Sequence, residues 1–192
     1  MLYQPAAQPL LPAAPNTLTV LNRWLRTLVV MVTVALFINV FFPRYAVQGH
    51  SMEPQVYASN LLLTSKLPAL THSIQRGELV VARSPRTGQT VIKRVIGLPG
   101  ERVDVLHGQV YINGRPLRED YVKEHPAYTG SWLVGPRQYF ILGDNRNDSL
   151  DSADYGPVEE SLISAVVLFR YWPLSRFSVY APPSYPELSA SR

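Results

Sequence analysis

Apolar positions follow two different patterns along this chain. From Thr27 to Phe42 they form an almost unbroken run, with no charge before Arg44. Extended back through Leu25 and Trp24, with Arg26 snorkelling, the run reaches bilayer-spanning length at ~1.5 Å per residue. It predicts a transmembrane anchor over 23–43. Beyond Arg44 the pattern changes to short apolar or alternating stretches punctuated by Gly, Pro and Asn, the spacing of strands and turns. Strands are predicted over 61–64, 78–82, 91–96, 103–106, 109–112, 139–142 and 166–171. His107-Gly108 and Asn113-Gly114 mark tight turns, the second being a preferred two-residue hairpin pair. Helical spacing is scarce there, with one short turn over 159–165. The fold expected is mainly β: a coiled, barrel-like antiparallel sheet over 44–181, preceded by one N-terminal transmembrane helix. The interval from about 106 to 135 is richer in polar residues and reads as an inserted β-subdomain.

The flanks differ from both patterns. Residues 1–22 include Pro5, Pro9, Pro12 and Pro15 and read as a disordered cytoplasmic tail, and 182–192, with Pro182, Pro183 and Pro186, as a flexible one. Arg23 and Arg26 precede the apolar run whereas Arg44 alone follows it closely, so the positive-inside rule puts the N-terminus in the cytoplasm and the β domain outside. A cleavable secretory signal is the competing reading. Against it, the segment before the run is long, and no small-x-small pattern directly follows Phe42.

Composition narrows the chemistry. A chain of 192 residues with 46% hydrophobic content suits one packed domain with a tether. Its 18 Lys and Arg against 14 Asp and Glu are scattered rather than gathered into a stripe, so nucleic-acid binding is not expected. The absence of cysteine excludes disulfides, thiolate metal sites and cysteine nucleophiles. The four histidines stand singly, without the spacing of zinc ligands. No metal and no cofactor are expected.

Three segments carry reactive groups. Ser51, in Gly49-His50-Ser51-Met52-Glu53-Pro54, offers a hydroxyl that becomes a useful nucleophile only beside a base. His50 is badly placed for that task, because neighbouring side chains on an extended strand point to opposite faces. Lys93 has Val91 and Val95 on its own strand face, and burial there lowers an amine's pKa toward what a general base needs. A lysine snorkelling from a strand edge is the competing reading. The third segment runs from Gly143 to Ser152, where Asp144, Asp148 and Asp151 stand among turn formers. It is equally a structured polar loop, a solvated loop or a weak cation site, though it lacks the glycine and terminal glutamate of an EF-hand.

Together these segments resemble the type I signal peptidases, a family of serine–lysine proteases. The likeness runs in order through 49–54, Arg76-Gly77-Glu78-Leu79-Val80-Val81, Lys93-Arg94-Val95-Ile96-Gly97-Leu98-Pro99-Gly100, Gly143-Asp144-Asn145-Arg146, Ser149 and Asp151-Ser152. The resemblance implies Ser51 as nucleophile, Lys93 as general base and Ser149 as the hydroxyl orienting the amine, with Asp144, Arg146, Arg94 and Asp151 as structural support. It implies the backbone N–H of Ser51 as oxyanion donor. Gly49 stands where some members carry a second donor, a serine hydroxyl. Ala153 stands where the family usually has an arginine that pairs with the aspartate at 151, and Arg94 is expected to neutralise Asp151 instead, with Arg146 as the other option.

The family's substrates are exported preproteins with signal peptides. An extended substrate would lie along Val47, Gln48 and Gly49 and along Val91 and Ile92, presenting small residues in an Ala-x-Ala pattern. The other expected partners are the lipid bilayer and neighbouring translocation machinery, and the expected location is the plasma membrane, or a thylakoid-like one, in single-pass form. Two alternatives remain at this level: a soluble-type self-cleaving serine–lysine protease, and a membrane-anchored peptide-binding module without activity.

Overall fold

The computed structural model describes residues 17–189, with side chains described to Leu188. Of the tail expected over 1–22, residues 1–16 lie outside the described residues, as do the last residues of the C-terminal tail. The chain forms two compact units, divided between Val40 and Phe41.

The first unit is built on helix α1, Thr17–Phe41. It begins earlier than the predicted Arg23, because Leu18, Val20 and Leu21 continue the apolar series after Pro15, the last residue that would break a helix. No residue of α1 is buried, although most of them are apolar. Three polar side chains turn back on the helix: Thr27 Oγ1 donates to the Arg23 carbonyl, Thr33 Oγ1 to Val29 and Asn39 Nδ2 to Ala35, at 3.0, 2.8 and 2.9 Å. Asn39 therefore does not interrupt the apolar surface with a bare amide.

Among the described residues the second unit holds twelve strands: β1 Arg44–Ala46, β2 Leu61–Ser65, β3 Leu79–Arg83, β4 Thr90–Gly97, β5 Arg102–Leu106, β6 Gln109–Ile112, β7 Arg115–Pro116, β8 Gly130–Leu133, β9 Gln138–Leu142, β10 Val158–Glu159, β11 Ile163–Trp172 and β12 Ser178–Val179. The larger sheet has the order β1-β2-β11-β3-β4-β9-β10, with β12 added to β11, and all of its pairings are antiparallel. It is open, with β1 and β10 at its ends, and does not close into a barrel. β3 is apolar at successive positions because both of its faces are covered. Val80 and Ala82 enter one core with Val95, Ile141 and Val166, while Leu79 and Val81 enter another with Met52, Val56 and Leu62.

The inserted subdomain is a second sheet of order β7-β6-β5-β8. It includes β5 and so starts at Arg102 rather than near 106. Both predicted turns are present, with positive φ at His107, Gly108, Asn113 and Gly114. The predicted turn over 159–165 reduces to one 3₁₀ turn at Glu160–Leu162, since Ile163 opens β11. Two short helices flank the larger sheet, α2 at Leu67–Leu70 and α3 at Ser152–Tyr155.

A flexible tail is expected from 182 onward; in the structure the described residues 182–189 pack against the rest of the second unit. They include a short helix, α4 (Pro186–Ser189); Tyr185 and Leu188 pack on the core beneath the second sheet, and the Glu187 carboxylate accepts the Arg118 N–H at 3.0 Å. Two apolar side chains and a few hydrogen bonds dock a segment whose average composition reads as a tail.

Gly97 joins the sheets. It lies at a register shift between β4 and β9, and a Cβ there would meet Val103 Cγ2 at 2.5 Å and Phe140 Cβ at 2.9 Å. Gly97→Ala is therefore expected to cost about 1–3 kcal/mol of stability through overpacking, read as a lowered midpoint of thermal unfolding.

Candidate active site

The turn carrying Ser51 is built from the end of β1. Val47 N–H donates to the Asn60 carbonyl at 2.9 Å and the Val47 carbonyl accepts from Ser59 at 3.0 Å, which pins the segment as it leaves the sheet. Gly49 then takes φ +84°, a left-handed conformation that favours glycine. Met52 and Val56 sink into the core, and Glu53 N–H closes a turn on the His50 carbonyl at 3.0 Å. Ser51 is left half-buried on the wall of a cleft. The exposed His50 ring pairs with Glu53 Oε1 at 2.7 Å, and that hydrogen bond raises its pKa.

Lys93 lies on β4 opposite Val80 and is only 2% exposed. Its Nζ donates to Ser149 Oγ at 2.8 Å. Burial holds its pKa below the ordinary lysine value, against the opposing pull of Asp151, Asp144, Asp154 and Asp148. Ser149 Oγ in turn donates to Asp151 Oδ2. A hydroxyl has one proton, so with that proton committed to Asp151 the Ser149 oxygen can only accept from the amine. Asp151 is buried and also accepts the N–H groups of Gly143 at 2.8 Å and Ala153 at 3.0 Å, capping α3. Burial raises its pKa, and these donors pull the other way.

The loop from Gly143 to Ser149 also grips the Ser51 turn. Asn145 N–H donates to the Ser51 carbonyl at 3.0 Å and Asn145 Nδ2 to the His50 carbonyl at 3.4 Å. A Cβ at Gly143 would collide with Ser149 Oγ and lie 2.5 Å from the Ser51 carbonyl oxygen, so only glycine lets these two groups come this close.

Both arginines of the predicted support are buried, but neither reaches Asp151. Arg94 forms a fork with Asp144 at 2.8 and 2.7 Å, donates to the Gly77 carbonyl at 2.8 Å and stacks on the Tyr121 ring at 3.9 Å. The expected Arg94–Asp151 pairing is thus replaced by Arg94–Asp144. Strand alternation explains it: Lys93 and Arg94 are neighbours on β4 and project to opposite faces, so an arginine beside the lysine cannot share the lysine's partner. Arg146 pairs with Glu119 at 2.7 and 2.6 Å and donates Nε to the Gly143 carbonyl at 3.0 Å. Sequence reasoning missed Glu119 and Tyr121, because Arg118-Glu119-Asp120-Tyr121 looks like a solvated charged stretch.

The cleft beside Ser51 has a volume of about 580 Å³ and is lined by Val47, Gln48, Gly49, Val91 and Ile92 among others. β9 pairs with β4 only from Arg94 onward, which leaves the edge at 90–92 free on that side to accept an extended segment by main-chain hydrogen bonding.

Residues 21–172 match the family model described as signal peptidase, peptidase S26. Among curated relatives, a signal peptidase I of Leptolyngbya laminosa is 35% identical over 93% of this chain and 94% of its own length. Another, of Bacillus caldolyticus, is 34% identical over 81% of this chain and 91% of its own. A solved signal peptidase I structure from Enterococcus faecalis V583 is 37% identical and covers 48% of this chain and 95% of that one, with a TM-score of 0.45.

Both side chains of the Arg94–Asp144 pair are buried, so removing one charge leaves the other without compensation. Asp144→Asn is expected to cost about 3–5 kcal/mol of stability, measured by denaturant unfolding.

Proposed function

The chain belongs to the signal peptidase family, peptidase S26, and from that premise we propose that it is a membrane-anchored endopeptidase that removes N-terminal signal peptides from exported preproteins. The observation that carries the catalytic part of this reading is the Lys93 amine, withdrawn from water and oriented by the Ser149 hydroxyl. Ser51 is the nucleophile and Lys93 the general base. With one N–H committed to Ser149, the neutral amine keeps its lone pair for the Ser51 proton. The serine oxygen attacks the scissile carbonyl, the Ser51 backbone N–H supports the oxyanion, and the lysine passes its proton to the departing amine. Water then attacks the acyl-enzyme, with Lys93 again as base, and releases the signal peptide.

The substrate adds as an extended strand between 47–49 and the open edge at 90–92. Its residues one and three positions before the cut face the same side, and small ones, in an Ala-x-Ala-like pattern, meet the wall formed by Val47, Val91 and Ile92. The anchor is α1, whose length and exposed apolar surface suit a bilayer. Arg23 and Arg26 against Arg44 favour a cytoplasmic N-terminus and an extracytoplasmic catalytic unit at the plasma membrane or a thylakoid-like one, close to the translocation machinery that delivers preproteins.

The detergent-solubilised full-length chain is expected to cleave a preprotein at an Ala-x-Ala site, and Ser51→Ala and Lys93→Ala are each expected to abolish cleavage while the protein stays folded. Cleavage surviving either change would overturn the serine–lysine assignment.

The same assignment fixes a pH dependence. Since the base must be neutral, kcat/KM rises with pH through an ionisation below the ordinary lysine value of 10.5. Asp151 raises the Lys93 pKa, so Asp151→Asn is expected to move this limb to lower pH. It should also lower the plateau, because Ser149 loses the carboxylate that sets its proton direction.

A further inference from the structure

The loop that carries Ser149 is held from behind by the inserted subdomain. Arg146 has no exposed side-chain surface, and its three nitrogens are all engaged: Nη1 and Nη2 on the Glu119 carboxylate at 2.7 and 2.6 Å, and Nε on the Gly143 carbonyl at 3.0 Å. Glu119, 9% exposed, also accepts the Tyr121 hydroxyl at 2.7 Å, and its carbonyl accepts the Val122 N–H at 3.0 Å, so its own turn is fixed. At the other end, Gly143 donates its N–H to Asp151 and lies against both Ser149 Oγ and the Ser51 carbonyl. Movement of the Gly143 peptide is therefore passed directly to the hydroxyl that meets Lys93 and to the main chain at Ser51.

We propose that Glu119 is a positioning residue for peptide cleavage: its forked pair with Arg146 fixes the guanidinium that grips Gly143, and so sets where Ser149 meets the Lys93 amine. The proposal rests on the assignment of Ser51 and Lys93 given above. A carboxylate is needed because a fork of two parallel hydrogen bonds fixes both the direction and the roll of the guanidinium plane. With that plane fixed, Nε has one place to point, which is the Gly143 carbonyl. None of the residues lining the substrate cleft comes from the inserted subdomain, so this effect belongs to the catalytic step and not to substrate binding.

The test compares Glu119→Gln, Glu119→Asp and Arg146→Lys in the full-length protein in detergent. For each, kcat and KM are measured for a preprotein, along with the rate at which a small serine-directed acylating reagent labels Ser51, all below the unfolding temperature. Glu119→Asp keeps the charge and shortens the reach. Arg146→Lys keeps the charge but cannot hold Glu119 as a fork and Gly143 together. Both are expected to lower kcat and the labelling rate in parallel, by about 10- to 100-fold, as displacement of a catalytic group does. KM should stay within about twofold of the parent. Should Glu119→Gln fail to fold, the two charge-retaining variants decide. A kcat kept within about twofold in both, whatever the loss in thermal stability, would overturn the proposal, as would a change confined to KM. A parent whose cleavage survives Ser51→Ala would instead remove the assignment on which the proposal rests.

Discussion

The constraint on which the site depends is the withdrawal of one amine from water. An ammonium group in the interior is costly, and that cost holds the Lys93 pKa below the ordinary lysine value, the direction its proposed role as base requires. Burial alone would leave the amine without direction. Direction comes from a chain of donors: Gly143 N–H and Ala153 N–H fix the Asp151 carboxylate, Asp151 takes the Ser149 proton, and Ser149 then has only acceptor capacity to offer Lys93. Each member has its hydrogen-bonding role set by the one before it, back to main-chain groups held by α3 and the end of β9. A rigid donor pattern in the backbone thus becomes a defined proton direction at the proposed catalytic base.

Strand alternation divides the work on either side of β4. On one face Lys93 meets Ser149; on the other Arg94 forms its fork with Asp144 and covers Tyr121. The two faces do not share charges through direct contact, so the structural ion pair can be strong without supplying the amine with a hydrogen-bond partner. The Gly143-Asp144-Asn145-Arg146 segment serves both faces in consecutive residues. Gly143 admits Ser149 and the Ser51 carbonyl, Asp144 takes Arg94, Asn145 holds the Ser51 turn, and Arg146 returns to Gly143. Such a loop is tied down at every position and has little freedom to drift.

Much of this was legible in the sequence, and the limits have physical causes. Helix α1 stood out because a continuous apolar run is a one-dimensional signal. The strands of the larger sheet were legible where they reach four residues or more, as at 61–65, 79–83, 91–96 and 138–142. The edges β1, β7, β10 and β12 were not, being two or three residues long and defined by their partners rather than by their own pattern. The Ser51 and Lys93 segments could be picked out because a hydroxyl in a glycine-and-proline turn and a lysine among valines are locally unusual. Glu119 could not, since a glutamate between an arginine and an aspartate looks solvated until the fold brings a buried arginine to it. The Arg94–Asp151 expectation failed for the opposite reason: charge arithmetic was applied without the alternation of the strand that carries Arg94. Docking of Tyr185 and Leu188 was hidden by the prolines around them.

Asp151 shows why the missing cation need not leave a gap. A buried carboxylate requires compensation, but hydrogen-bond donors provide it as well as a counter-charge does when they are fixed in place. Here two main-chain N–H groups and the Ser149 hydroxyl converge on it, and the capping geometry of α3 aligns one of them. The electrostatic consequence differs from that of an arginine. A guanidinium beside Asp151 would also act on the nearby amine at longer range, lowering its pKa further, whereas dipolar N–H groups act almost entirely on the oxygen they touch. With Ala153 in place, the full pull of the Asp151 charge reaches Lys93 and opposes the effect of burial. The basicity of the proposed catalytic amine is therefore set by the contest between its desolvation and the carboxylates around it, Asp151 foremost, and the side chain at 153 is where that balance can be moved without touching the reacting groups.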